Sequence, residues 1–103
     1  MTQEELLNIL KQSGVPIAYH HFDGEPPLPC IVYYRINNDN VLADNKVHVS
    51  FKNYNVELYT PVKSKSLEEK IEKIFDDNEI VYEVDETYLE SERVYEVIYF
   101  IQI

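Results

Sequence analysis

The sequence predicts a single α+β domain over residues 1–103, with two helices packed on one face of a mainly antiparallel sheet. Two segments repeat apolar side chains at helical intervals, and five others have the β-branched, aromatic or alternating pattern of strands. Their order is α-β-β-β-α-β-β, without internal repeats. A chain of 103 residues has room for one core, because folding at this size buries about 60–70% of the surface that the unfolded chain exposes.

The first helix, predicted over 3–13, begins at a capping box. Thr2 and Glu5 have the spacing at which each side chain bonds the backbone N–H of the other, and apolar residues then recur at helical spacing. Gly14 suits the left-handed conformation that ends many helices, and Pro16 prevents the helix from continuing.

The segment from Gly14 to Tyr34 joins two apolar, strand-like runs through an acidic, proline-rich connection. We expect strands over 17–22 and 30–36. The residues between them, 23–29, include three prolines, which lack the N–H group that a strand ladder needs. We therefore expect a stiff loop that fixes where the second strand enters the sheet.

An apolar triplet, 41–43, lies in the polar loop that follows, and it is either an interface contact or a short edge strand. The third strand, predicted over 47–59, alternates apolar and polar residues but changes phase. One extra residue shifts the parity of side chains, so we predict a bulge near Lys52 and Asn53. Pro61 should end the strand.

The second helix is predicted over 66–77, because Ser66 and Glu69 repeat the capping-box spacing. Glu69 also precedes Lys73 by four residues, a spacing that favours an ion pair, and Asn78 suits the position after the helix end.

Two further strands are predicted over 80–84 and 94–103, with a turn between them. In the last strand both faces are largely apolar, so we expect it inside the sheet or covered on both sides.

Acidic side chains concentrate in one half of the chain. The formal net charge is −10, and residues 66–96 carry twelve acidic and three basic side chains. Such a field repels phosphate backbones, so we predict no nucleic-acid binding, and the simplest interpretation is a solvated acidic face. No apolar run reaches the length of a membrane span, and the N-terminus lacks the pattern of a signal peptide. We expect a cytoplasmic protein without membrane contacts.

Five side chains of metal-ligating types occur close together: His20, His21, Asp23, Glu25 and Cys30. Adjacent histidines in a strand point to opposite faces, and no second Cys or His pair supports them, so we expect no zinc site. The simpler expectation is one histidine packed beside aromatic rings and one exposed.

A nucleophile pair of Cys30 with His48 is the other chemical possibility. The chain has two glycines, and it lacks the glycine-rich turn that usually presents such a nucleophile. Cys30 is the only cysteine and stands in an apolar run, so we expect a small buried hydrophobe. We predict no catalytic residue, cofactor or metal, and a protein that is not an enzyme.

Nine tyrosines give the chain a different signal. Tyrosine is enriched at protein interfaces, because it combines a rigid apolar body with a polar tip, but it is also a good strand former, and both interpretations stay open. The predicted interface consists of Val41, Leu42 and strand tyrosines that we expect to be exposed, namely Tyr33, Tyr54 and Tyr59.

Several stretches of the chain carry a family resemblance: GVPIAYHHF, PPLPCIVYY, NNDNVLADNKV, VELYT, SLEEKIEKIF and ESERVYEVIYF. With these, after a short capped N-terminal helix, the chain resembles a group of small prophage proteins from Gram-positive bacteria, encoded among the head and tail morphogenesis genes. The resemblance covers most of the chain, but its motifs mark positions of structure and carry over no functional residue.

The resemblance implies a head-tail connector or tail-terminator subunit, of the kind that forms rings, commonly hexameric, where the tail tube of a long-tailed phage meets the head. The expected partners are copies of the chain itself and tail-tube and head-connector proteins. The expected location is the bacterial cytoplasm during assembly and then the head-tail junction of the virion. The alternative is a small acidic module that docks a basic partner protein.

Overall fold

The computed structural model describes residues 1–36, 39–40 and 50–103. In chain order the elements are helix α1 (Gln3–Leu10), a 3₁₀ turn (Lys11–Ser13), β1 (Ile17–Tyr19), β2 (Cys30–Arg35), β3 (Asp39–Asn40), β4 (Ser50–Phe51), β5 (Asn53–Thr60), helix α2 (Lys65–Asp77), β6 (Tyr82–Leu89) and β7 (Val94–Gln102). The described helices include none that is both long and apolar enough to cross a membrane.

Five of the strands form one sheet in the order β1-β2-β5-β7-β6. Neighbouring strands are antiparallel except β1 and β2, which run parallel, and β3 pairs with β4 in a separate ribbon. The predicted α+β fold with a mainly antiparallel sheet is therefore confirmed.

Both helices cover the same face of the sheet, which we call the helix face. The buried cluster there joins apolar residues of α1 and α2 to alternate residues of the three inner strands. Its fully buried members include Leu6, Leu10, Ile31, Val56, Leu58, Ile71, Phe75 and Tyr99. On this face the rings of Phe75, Tyr82 and Tyr99 pack together, with centroids 5.5–5.7 Å apart.

The start and end of α1 follow the prediction. Thr2 Oγ1 accepts a hydrogen bond from the Glu5 N–H at 3.1 Å, and the Glu5 carboxylate accepts one from the Thr2 N–H at 3.0 Å. After the 3₁₀ turn, Gly14 takes the left-handed conformation with φ of 80°. Local sequence signals are sufficient here because every bond involved spans only a few residues.

Strand β1 is shorter than predicted. We expected a strand over 17–22, but it ends at Tyr19 because His20 has a φ of 71°, which turns the chain out of the sheet. Residues 20–29, which we call the proline loop, then carry the chain back to begin β2 parallel to β1. The peptide bond between Leu28 and Pro29 is cis.

The predicted bulge near Lys52 and Asn53 is replaced by a break between β4 and β5. Strand β4 pairs with β3, whereas β5 pairs with β2 and β7 in the large sheet. Lys52 lies between them and exchanges two backbone hydrogen bonds with Ile103, at 3.1 and 2.9 Å. The predicted end of the strand before Pro61 is confirmed, while residues 41–49 lie outside the described part of the chain.

Helix α2 begins earlier than predicted. Ser64, not Ser66, has the extended cap conformation, and its Oγ accepts a hydrogen bond from the Leu67 N–H at 3.3 Å. Ser66 therefore lies in the first turn of the helix and does not form the predicted capping box with Glu69. Lys73 forms an ion pair with Asp77 at 2.8 Å instead of the predicted pair with Glu69.

The end of α2 is a six-residue closing motif. The Glu79 N–H bonds the Asp76 carbonyl at 3.1 Å, and the Ile80 N–H bonds the Phe75 carbonyl at 2.9 Å. This pattern places Asn78 at the last, half-helical position and Glu79 in the left-handed conformation, with φ of 56°. We expected Asn78 at the position that Glu79 takes.

Strand β6 is longer than predicted and forms one edge of the sheet. It covers Tyr82–Leu89, where we expected 80–84, and it pairs only with β7 in the described part of the chain. Strand β7 lies between β5 and β6, which confirms its predicted place inside the sheet.

Candidate functional site: the open face of the sheet

The face of the sheet opposite the helices, here called the open face, carries an unusual row of polar groups on its inner strands. Cross-strand pairing places Cys30 beside Tyr59 and Tyr59 beside Glu96. The next row holds Glu57, which is only 8% exposed. Sheet register therefore brings together carboxyl and phenol groups from β2, β5 and β7.

These groups form a continuous chain of hydrogen bonds. Tyr34 donates its phenol hydrogen to Glu57 Oε2 at 2.7 Å and accepts one from Asn55 Nδ2 at 3.1 Å. The phenol oxygen of Tyr59 lies 2.7 Å from Glu57 Oε1 and 2.6 Å from Glu96 Oε2. The amide oxygen of Asn55 is buried without a partner among the described atoms.

The contacts of Tyr59 outnumber its hydrogens. A phenol has one hydrogen to donate, so Tyr59 can satisfy either Glu57 or Glu96, and the two carboxyl groups compete for it. The cluster therefore has more hydrogen-bond acceptors than its own donors can satisfy.

Both phenols in the cluster are held in the neutral form. Burial, followed by the hydrogen bond to Glu57, raises the pKa of Tyr34 above its ordinary value. The pKa of Tyr59 is raised strongly by burial and by its contacts with Glu96 and Glu57. A neutral phenol keeps its hydrogen, so both side chains serve as donors and neither is a base at ordinary pH.

A cleft of about 670 Å³ opens over one end of this cluster, between the proline loop and the β6–β7 turn. This volume lies within the ordinary range of ligand sites. Its apolar walls come from the proline loop, β2, the end of β6 and the start of β7, namely Phe22, Leu28, Val32, Leu89 and Val94.

The polar groups of the cleft are mostly acidic. Glu57 and Tyr59 form part of its floor, while Glu25 and Glu92, both exposed, lie at its rim. Lys63 and Lys73 form their ion pairs with acids outside the cleft. The cleft therefore combines apolar walls with negative charge.

His20 and His21 also border the cleft, and their rings contact each other. The Nδ1 atoms are 3.3 Å apart and the rings meet edge to face at 5.4 Å. We expected opposite orientations, as in a strand, but the left-handed conformation of His20 takes both residues out of the sheet. The His20 ring lies 5.9 Å from the ring of Tyr34, and both histidines are exposed.

Cys30 is buried, as predicted, with 1% of its surface exposed. Burial raises the pKa of its thiol, so the group stays protonated and is a poor nucleophile. His48 lies outside the described residues. Among the side chains that are described, no three of the types His, Cys, Asp or Glu are grouped so as to hold a metal ion.

The predicted interface residues fall into three groups. Tyr33 and Tyr54 are buried on the helix face, with 3% and 1% exposed, so our assumption that these strand tyrosines are exposed was wrong. Their parity turns them toward the helices, and Tyr54 donates a hydrogen bond to Gln3 Oε1 at 2.8 Å. Tyr59 is half-buried in the open face, and Val41 and Leu42 lie outside the described residues.

Sequence reasoning did not find Glu57 and Glu96. The available signal was a single acid in each of two strands rich in apolar and aromatic residues, with Tyr59 two residues from Glu57 on the same face. Their meeting depends on the pairing of β5 with β7, which single-strand patterns do not contain.

The chain was compared with known proteins. No protein-family model matches it, and no curated protein is significantly similar to it.

Proposed function

We propose that this protein is a non-enzymatic structural subunit of a phage or prophage, a tail terminator or head-tail completion protein that self-associates into a ring. The resemblance of its sequence stretches to small prophage proteins supports the class of protein. The observation that carries self-association is the edge strand β6. The proposed partners are other copies of the chain, with tail-tube and head-connector proteins on either side, and the proposed location is the head-tail junction.

Strand β6 has the features of a surface that pairs with another chain. It is eight residues long and pairs with β7 alone in the described part of the chain. Val84 and Tyr88 are 52% and 45% exposed on the helix-face side of this strand. A long edge strand with exposed apolar side chains is a template for pairing with another chain.

The charge of β6 argues against pairing with its own copy. Glu83, Asp85 and Glu86 would then face like charges, which destabilises a strand pair. A contact between β6 and a different surface of the next subunit keeps these acids from facing one another, so that only the repulsion between the net charges of the subunits remains. Such head-to-tail contacts generate closed rings when the rotation between subunits closes.

Multi-angle light scattering across a range of protein concentrations tests the proposal. Val84→Asp adds a charge to the edge, and we expect it to raise the concentration needed for assembly by about tenfold or more. Leu28→Asp is the matched control, because Leu28 is 44% exposed but lies on the proline loop. A wild-type chain that stays monomeric at all concentrations, or an unaffected Val84→Asp variant, contradicts the proposal.

A second candidate function is supported by the same strand. The acids of β6 and the β6–β7 turn are exposed, and of the described lysines Lys63 contacts this strand, at Glu86. An acidic edge of this kind suits a basic partner protein, whose binding weakens as salt rises. Pull-downs from host lysate at low and high salt separate this candidate from self-association.

A further inference from the structure

We propose that the cleft between the proline loop and the β6–β7 turn binds an arginine side chain of a basic partner protein, with Glu57 as the group that bonds the guanidinium. This proposal does not rest on the self-association of the chain, which involves β6.

The cleft has the size and the lining for a long side chain with a charged end. Its volume is about 670 Å³, and it opens to solvent at the edge of the proline loop. Phe22, Val32 and Val94 offer apolar contacts to the methylene groups of an arginine stem. The space exceeds one side chain, which leaves room for flanking residues of a polypeptide.

Glu57 provides a buried negative charge in this cleft. It is 8% exposed, lines the cleft, receives a hydrogen bond from Tyr34 and competes with Glu96 for the single phenol hydrogen of Tyr59. The ion pairs of Lys63 and Lys73 join other acids and do not include Glu57. Buried carboxylates in proteins are normally paired with a cation, and an incoming arginine supplies one.

The hydrogen count of the cluster favours the same ligand. Tyr59 offers one hydrogen to two carboxyl groups. When a guanidinium donates to Glu57, the Tyr59 hydrogen is free to bond Glu96, and both acids are then satisfied. The ligand thus completes a network that the chain leaves one donor short.

Arginine fits this site better than lysine. Its guanidinium is planar, carries five N–H donors, stacks on aromatic rings and is more weakly hydrated than an ammonium group. The floor offers both a carboxylate, Glu57, and an aromatic ring, Tyr59. Glu25 and Glu92 at the rim add long-range attraction for a cation.

An NMR titration of the full chain with the capped tripeptide acetyl-Val-Arg-Val-amide tests the proposal. We expect saturable shifts of the amide signals of Glu57, Tyr59 and Val94. The same peptide with citrulline, a neutral isostere of arginine, should bind about tenfold or more weakly, because it lacks the charge. Equal binding of the two peptides, or shifts confined to other surfaces, overturns the proposal.

Variants and a small ligand sharpen the result. Glu57→Gln should weaken arginine-peptide binding by about tenfold, whereas Glu83→Gln, an exposed acid of β6, should leave it unchanged. If Glu57→Gln fails to fold, the comparison of arginine with citrulline on the wild-type chain still decides. N-acetyl-arginine amide that binds as tightly as the tripeptide indicates a site for small cations and overturns the assignment to a polypeptide partner.

Discussion

Glu79 occupies a backbone conformation that suits glycine. Its φ is 56°, at the end of α2. In this left-handed conformation a residue with a side chain is less stable than glycine by about 1 kcal/mol. Its carboxylate also lies at the negative end of the helix dipole. We predict that Glu79→Gly raises the free energy of unfolding by about 0.5–1 kcal/mol, measured by urea unfolding followed by circular dichroism.

The control for this prediction is Glu69→Gly, an exposed residue in the interior of α2. Glycine in a helix interior costs about 1 kcal/mol relative to alanine and glutamate is a good helix former, so this variant should be less stable than the wild type. A loss of stability in both variants would show that left-handed strain at Glu79 is not the controlling effect.

Because of the buried phenol of Tyr99, the free energy of unfolding should fall as the pH rises into the alkaline range. Burial, followed by the hydrogen bond to Glu72 at 2.9 Å, raises the pKa of this phenol above its ordinary value. Above pH of about 10 the unfolded chain loses this proton while the folded chain retains it, so stability is complete below that pH and falls as pH rises. We predict that Tyr99→Phe reduces this fall by about 1.4 kcal/mol per pH unit.

Urea unfolding at several pH values from about 8 to about 11 measures this slope. Ile71→Val is the control, because it removes a methylene from the same fully buried core without removing a phenol. It should lower stability by about 0.5–1.5 kcal/mol at every pH and keep the wild-type slope. An unchanged slope in Tyr99→Phe contradicts the prediction.

At the scale of single elements, α2 has two serines that could each cap its N-terminus. Ser64 and Ser66 both precede the apolar stripe of the helix, and the sequence favours Ser66 because Glu69 follows it at capping-box spacing. In the structure Ser64 caps the helix, since it bonds the Leu67 N–H. A start at Ser64 also lets Lys63 contact Glu68 in the first turn, at 2.8 Å.

The capping role of Ser64 predicts that alanine substitutions at the two serines differ in their effect on stability. Ser64→Ala removes the cap and should lower the free energy of unfolding by about 1 kcal/mol. Ser66→Ala should have an effect within about 0.5 kcal/mol, because it replaces an exposed residue of the first turn with a good helix former. Thermal unfolding of both variants tests the assignment, and a larger loss in Ser66→Ala would reverse it.

Predictions from the sequence were correct where local chemistry decides an element. The capping box of α1, the left-handed Gly14 and the end of β5 at Pro61 each depend on a few neighbouring residues. They were wrong where distant contacts decide. Strand β4 separates from β5 because β4 pairs with β3, whereas β5 pairs with β2 and β7. Strand β1 ends early at the left-handed His20, a conformation that the strand-like pattern of residues 17–22 did not indicate.

At the scale of the whole molecule, the sequence predicted the helix face but not the open-face cluster. Alternation along β5 puts Tyr54, Val56 and Leu58 on one face, and all three are buried, although we expected Tyr54 at an exposed interface. The same alternation puts Glu57 and Tyr59 on the opposite face. That they meet Glu96 depends on the register of β5 against β7, which joins residues nearly forty positions apart and is not contained in either strand alone.

The net charge of −10 gives the two candidate functions opposite dependence on salt. If copies of the chain assemble through β6, the acids Glu83, Asp85 and Glu86 bring negative charge into a contact between negatively charged subunits. Raising NaCl from about 0.05 to about 0.5 M screens this repulsion, so we predict that light scattering shows assembly at a lower protein concentration. Glu83→Lys should produce part of the same shift at low salt.

Binding to a basic partner should instead weaken over the same range of NaCl concentration, because salt screens an attraction. Assembly that weakens as salt rises would contradict self-association against a negatively charged copy and favour recognition of basic groups.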